Sequence, residues 1–301
     1  MKNVSVICAI VKNEQRFIRE WVEHYLSIGF DKLYVYEDYG SESHEEQVKD
    51  YIEQGKVELV NLDKANIFPH YSKGTRVQVV LYKTFLQRCK EEKLADWCGF
   101  FDIDEFMMFE DGWNLKKIED TFKDNGGILL PWKCYGANGH IKRPIGGVVE
   151  SYTSFMPEGF LIDPGSSMWN IKSLVNVHKC DGLLNIHIFK DAVFTDGTKF
   201  EVGKMLFEKA WINHYFTKSW EDYLERIFSR GNMQNNYRCL DLFFKCNPEF
   251  ADKRKEMIYA ERFRHCASTM WISHKEKLIS GGNERKIREL NNKLQKNYAR
   301  V

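Results

Sequence analysis

A chain of 301 residues is long enough for one large domain, or for a domain with an appendage. Hydrophobic residues make up 43% and charged residues 29%, the balance of a globular protein with a real core, and a formal net charge of +1 exerts no overall pull toward nucleic acid or a membrane. No apolar run approaches the ~18 residues that a membrane span needs.

The charge is uneven along the chain. Residues 251–301 carry thirteen Lys/Arg against six Asp/Glu, which reads first as a solvated helical surface and second as a patch facing anions or a membrane. The eight cysteines form no CxxC pair and sit mostly in apolar runs, the pattern of buried reduced thiols rather than of a disulfide framework or a zinc site. The opening "VSVICAIV" is short, strand-like, and leads into "KNE" rather than a small-residue cleavage site. Together these predict a cytoplasmic protein.

In chain order, "VSVICAIV" is a strand apolar on both faces. Residues 13–29 place Phe17, Ile18, Trp21, Val22, Tyr25 and Leu26 at helical spacing. "KLYVYED" is a second strand, and "SHEEQVKDYIEQG" is a helix with a capping-box start (Ser43, Glu46) and a Gly55 stop. "KVELVNL" is a third strand, residues 74–93 a long amphipathic helix, and "WCGFFDIDEFMMF" a fourth strand. Such alternation predicts a mainly parallel sheet covered by helices, whose ligands sit beyond the carboxyl ends of the strands. After Asp104 come "GGILLPWKCYG", "GGVVESYTSF", "WNIKSLVNVH" and "LLNIHIFK", all strand-like, and from Lys218 the chain turns helical, with a break at Ser280–Asn283.

The fourth strand poses a chemical question. Asp102, Asp104 and Glu105 end a run of apolar residues, and three crowded carboxylates resist leaving water unless something positive is near. Strand alternation puts Asp102 and Asp104 on one side. Two such carboxylates make half a site for Mg²⁺ or Mn²⁺, which completes its shell with water and substrate phosphates and acts as a Lewis acid on a leaving phosphate. The plainer alternative is a turn cap paired with surface lysines.

The stretches "ICAIVKNEQRFIREWVEHYLSIGFDKLYVYED", "RVQVVLYKTFLQRCKEEKLADWCGFFDIDEF", "PWKCYGANGH", "IKSLVNVH" and "INHYFTKSWEDYLERIFSRGN" resemble, in that order, the family 92 and related family 2-like glycosyltransferases of the GT-A fold. The resemblance covers residues 4–232. It implies a nucleotide pocket edged by Val11, Asn13 and Glu14, with Asp38 on the base or ribose. It further implies Asp102 and Asp104 as ligands of the metal and the nucleotide sugar, with His214 completing the metal shell and Glu105 positioning donor or metal waters. Lys218 would reach the diphosphate, Arg76 and Gln78 would be donor-side contacts, and Lys172 and His187 would line the site. Each has a local rival: His214 as a core histidine, Asp38 as a turn residue, Lys218 and Arg230 on a solvated helix face, His187 facing solvent.

On the acceptor side, Trp132, Tyr135 and Trp169 flank polar, Gly-containing loops, which suits sugar rings, and "CYGANGH" is free enough of bulk to approach a ligand. An inverting transfer needs a carboxylate base. Glu150 is the first candidate and Asp163 the second, with Glu158 and Asp191 also open.

The expectation is a GT-A-like α/β domain over 1–217, with a mixed, mainly parallel sheet flanked by helices, and a helical C-terminal extension over 218–301. It would move a hexose from a UDP-type nucleotide sugar to a saccharide hydroxyl, with inversion, using Mn²⁺ or Mg²⁺. A role in polysaccharide biosynthesis, with peripheral membrane association through the basic C-terminal region, is the matching setting. A catalytically silent nucleotide-sugar or glycan-binding relative is the alternative. A haloacid-dehalogenase-like phosphatase is disfavoured, since its Asp-x-Asp lies near the chain start and Glu105 and Phe106 follow here instead of its Thr or Val. Nucleic acid is disfavoured too, because basic and aromatic residues form no coherent stripe in the first 250 positions.

Overall fold

A computed structural model describes residues 3–65, 77–156, 170–202, 204–229 and 236–258. The chain divides into two compact units, 1–247 and 248–301. In the second, the described residues begin with a 3-10 turn, Pro248–Phe250.

The first unit is built on a mixed, mainly parallel sheet, in agreement with the sequence reading. Strands β1 (Ser5–Val11), β2 (Lys32–Glu37), β3 (Val57–Asn61) and β4 (Trp97–Gly99) form its parallel half. Strands β5 (Glu105–Phe109), β6 (Gly127–Cys134), β7 (Ile171–Asn176), β8 (Ala192–Phe194) and β9 (Ala210–His214) complete it. The order is β3-β2-β1-β4-β7-β6-β9-β5, with β8 also paired to β6. β6 has two sets of partners: its first half pairs with β7 and β8, its second half with β9. That switch brings His214, at the end of β9, opposite Glu105 on β5.

The helices form where apolar spacing fits the sheet faces. α1 (Ile18–Ser27) buries Ile18, Trp21, Val22 and Tyr25, an i, i+3, i+4, i+7 stripe. It starts later than the spacing predicts, because Asn13 is left-handed (φ 55°) and the chain turns before entering the helix. Trp21 Nε1 and Tyr25 Oη both donate to the Glu105 carbonyl, at 3.0 and 2.9 Å. α1 thereby pins the start of β5, the residue after Asp104.

α2 (Glu45–Glu53) ends as expected at Gly55 (φ 69°), but Ser43 and Glu46 form no capping box. The His44 amide donates to the buried Glu37 carboxylate instead (2.6 Å). α3 (Leu62–Ala65), α4 (Val77–Glu92) and α5 (Leu115–Thr121) follow, with Asn114 capping α5 through the Lys117 amide.

Three expected strands differ. "WCGFFDIDEFMMF" is two strands joined by a turn, because β4 stops at Gly99 and residues 100–104 bend before β5. "GGVVESYTSF" contains a short helix, α6 (Val148–Ser151), since the Glu20 carboxylate accepts the Val148 and Val149 amides at its first turn. "LLNIHIFK" is a bridged loop, because the Asn185 side chain accepts the amides of His187 and Ile188 and curls the backbone.

The compact unit runs past 217 and takes in α7 (Trp220–Ser229) and α8 (Asn236–Cys246). Trp220 packs edge-on to Phe243 (4.8 Å between ring centroids), and Asp222 accepts from Tyr152 Oη (3.1 Å). These two helices thus belong to the wall of the sheet domain. The six described cysteines are buried free thiols, as expected. No helix among the described residues is long and apolar enough to cross a membrane. The Ser280–Asn283 break and most of the basic C-terminal segment lie outside the described residues.

Candidate functional site

Beyond the carboxyl ends of β1 and β2 lies a hollow of about 270 Å³, lined among others by Val11, Asp38, Gln78, Asp102, Asp104 and Arg226. Its location is where an open parallel sheet leaves its loops free to bind. Asp38 follows β2, its amide donating to the Val11 carbonyl (2.8 Å) and its carboxylate accepting the Tyr39 amide. Glu14 also lines this hollow, while Asn13 and Lys218 line a neighbouring one.

The acidic turn faces the hollow with Asp102 and Asp104, as the sequence predicts, although a turn rather than strand alternation puts them there. Each is met by a cation. Lys172, fully buried on β7, donates to Asp102 Oδ2 (2.9 Å) and lies 3.5 Å from Glu105 Oε2. Arg226 Nη1 donates to Asp104 Oδ2 at 2.9 Å. Gln78 supplies an amide to Asp102 Oδ1 (2.9 Å) while also donating to Tyr82 Oη. Burial works to raise the Asp102 pKa, yet Lys172 beside it holds the carboxyl below its usual range.

Glu105 plays a different part from the expected one. It is fully buried, its Oε2 accepts the Asp102 amide (2.9 Å), and burial pushes its carboxyl well above the ordinary value. It braces the turn from beneath and does not line the hollow.

His214 is 6% exposed, with Nε2 at 3.7 Å from Asp104 Oδ1 and a buried Nδ1 that has no hydrogen-bond partner. Burial lowers its pKa to about 4, so the ring is neutral at pH 7. Trp132 packs against it at 4.2 Å and edge-on against His187 at 5.4 Å. His187 is half-buried, with Nδ1 on the Ile171 carbonyl (3.1 Å), and burial lowers it too to about 4. Tyr135, expected beside a sugar ring, stacks instead on Tyr215.

Asp102, Asp104 and His214 have the right chemistry for Mn²⁺ or Mg²⁺, being two hard oxygen donors and a neutral imidazole. Their arrangement does not fit one. Among the described residues no three carboxylate, imidazole or thiolate groups converge closely enough to hold an ion. Lys172 and Arg226 already oppose the two carboxylates, and a dication would have to displace them.

Two features escaped the sequence reading. Arg226 belongs to a polar row, Ser219, Asp222 and Arg226, at helical spacing beside the apolar stripe of α7; that row was the available signal. The second is a buried relay. Glu37 Oε1 accepts from His44 Nδ1 (3.1 Å), and His44 Nε2 accepts the Glu14 amide (3.0 Å). This fixes the tautomer and ties the loop after β1 to β2. Nothing in the local pattern of "SESHEEQ" marks it.

Other candidates are not brought to the hollow. Glu150 is exposed on α6 and lines neither this hollow nor its neighbour. Asp191 follows the bridged loop with φ 62°, its carbonyl accepting the Gly126 amide. Arg76, Glu158, Asp163, Trp169 and Arg230 lie outside the described residues.

Comparison with known proteins agrees with the resemblance. The model of glycosyltransferase family 92 matches residues 3–257. A family 92 protein of Ricinus communis is 25% identical over 233 residues, covering 74% of this chain and 37% of that protein. One of Oryza sativa subsp. japonica is 24% identical over 233 residues, covering 74% and 35%. The chain therefore spans little more than a third of the length of these curated relatives. Among solved structures, S. aureus TarS 1-349 in complex with UDP aligns over 58% of this chain and 47% of its own, at 12% identity and a TM-score of 0.33. Likeness at that level says nothing about function.

Proposed function

The chain belongs to glycosyltransferase family 92, and on that premise we propose that it transfers a sugar from a nucleotide-diphosphate donor to a saccharide hydroxyl. The observation that carries this reading is the hollow itself. Asp38 and Val11 stand at the ends of the two central parallel strands, and Asp102 and Asp104 close the same space of about 270 Å³. A nucleoside fits against the strand ends, its ribose hydroxyls within the reach of carboxylates and the Gln78 amide. The diphosphate then extends toward Arg226. A UDP-type hexose donor and an inverting outcome complete the reading, on the strength of the resemblance.

The residues divide the work. Lys172 keeps Asp102 ionised and Glu105 holds the turn that presents it. Arg226 restrains Asp104 and offers a guanidinium to developing phosphate charge. The donor atoms of Asp102, Asp104 and His214 suit Mn²⁺ or Mg²⁺, but Lys172 and Arg226 already oppose the two carboxylates, so no step here is routed through a dication. The silent-relative alternative draws on Glu105 being engaged and Glu150 standing apart.

Thermal shift with UDP, in Mn²⁺ and in chelator, tests the reading. Stabilisation by UDP that is lost in Asp102→Asn supports it, and no response to any nucleotide diphosphate in either condition refutes it. Slow hydrolysis of a UDP-hexose separates a transferase from a silent binder.

A further inference from the structure

Beside the donor hollow lies a second cavity, of about 150 Å³, between the loop after β1 and the turn from β9 into α7. Its lining is rich in cations. Lys218 is 3% exposed, and its ammonium sits 4.4 Å above the centre of the Phe17 ring. Among the described residues it has no carboxylate partner and no hydrogen bond. The stem of Lys218 is packed away while its ammonium is offered to this cavity without a counter-charge, a position that an anion would stabilise. Arg16 and Lys12 line the same cavity, and both donate to backbone carbonyls, Pro144 at 2.8 Å and Tyr39 at 2.6 Å, not to carboxylates. The acids Asp222 and Glu225 on the lining are already taken by Arg143, and Glu14, also on the lining, shares it with the Arg226 guanidinium.

The backbone adds an independent sign. Lys218 (φ 52°) and Asn13 (φ 55°) are both left-handed non-glycine residues, and both line this cavity. Such conformations persist where surrounding structure enforces them, and they cluster at ligand sites. Left-handed backbone, an ammonium without a counter-charge and the rings of Phe17 and Phe216 coincide in this lining.

We propose that this cavity binds an acidic sugar residue of the acceptor, its carboxylate or phosphate on Lys218 and its ring against Phe17. The volume suits one pyranose ring. The inference rests on the transferase reading, since it names the acceptor class for that reaction. The diphosphate of the donor has the same charge chemistry and is the competing occupant.

The experiment is titration of the full chain with glucuronate, glucose 6-phosphate and glucose, with and without saturating UDP, followed by protein NMR. The expected result is binding of an acidic sugar alongside UDP, at least tenfold weaker binding of glucose, and loss of the acidic sugar in Lys218→Met. Displacement by UDP would assign the cavity to the donor and overturn the proposal, as would equal binding of glucose or an unchanged Lys218→Met. Arg16→Gln, on an exposed side chain, gives the same readout should Lys218→Met fail to fold; a loss of at least threefold is expected, and no change overturns the proposal. Failure of UDP to bind at all, with the acidic sugar still held by Lys218, would instead remove the transferase reading.

Discussion

Arg226 Nη1 stands 2.9 Å from Asp104 Oδ2, joining α7 to the acidic turn 122 residues earlier in the chain. The same nitrogen donates to the Phe216 carbonyl at 2.6 Å. The helix that follows β9 is therefore held to the site by charge as well as by packing, and it brings the guanidinium to the mouth of the donor hollow.

Removing one partner should strand the other. Asp104 is nearly buried while Arg226 is partly exposed, so solvent screens part of the loss. Arg226→Met is expected to cost about 2 kcal/mol of stability, read by urea denaturation. Arg226→Met combined with Asp104→Asn should cost less than the sum of the two; strict additivity would show that the pair does not couple.

Lys172 lies between two carboxylates with no solvent contact. Lys172→Met leaves the ionised Asp102 uncompensated and should destabilise by roughly 3–5 kcal/mol. Adding Asp102→Asn should restore part of that, because Asp102 is the acid that Lys172 keeps ionised. A loss below about 1 kcal/mol in the single variant would mean that Lys172 does not neutralise the turn.

Gly127 opens β6 with φ 144°, and a Cβ there would stand 2.4 Å from the Leu174 carbonyl oxygen on the paired strand β7. A main-chain atom in a sheet cannot step aside. Gly127→Ala should therefore cost at least about 2 kcal/mol in chemical denaturation, whereas Gly55→Ala, with φ 69° and open space around it, should cost only about 1 kcal/mol of backbone strain.

Burial lowers the pKa of His44, and that of His187 to about 4. In the unfolded chain these rings take up protons near the ordinary 6.5. Between about pH 6.5 and 4 the unfolded state holds more protons than the folded one, so stability should fall as the pH drops through that window. Urea midpoints at pH 7, 6, 5 and 4 measure it. His187→Phe keeps a ring against Trp132 and should flatten part of the slope; an identical slope would show that His187 titrates normally.

Much of the sheet domain was legible because its parallel half obeys local rules. Apolar runs of strand length alternate with amphipathic stretches in 4–99, and β1, β2, β3, α1 and α4 lie where that pattern puts them, within a few residues at their ends. Two carboxylates after a buried run were also legible as a pair facing one space. The failures share a cause. "GGVVESYTSF" and "LLNIHIFK" are apolar enough for strands, but Glu20, distant in sequence, and Asn185, nearby, supply side-chain acceptors that bend them. Local pattern carries no record of either bond.

The sequence by itself determined the α/β class, the order of the early elements and the acidic pair, because periodicity and burial are properties of short stretches. Only the tertiary structure decided what answers those charges. Lys172 and Arg226 come from 70 and 122 residues away, and their arrival depends on how β7 and α7 return to the sheet. Charge compensation acts through space, so no window of residues along the chain can reveal its partner.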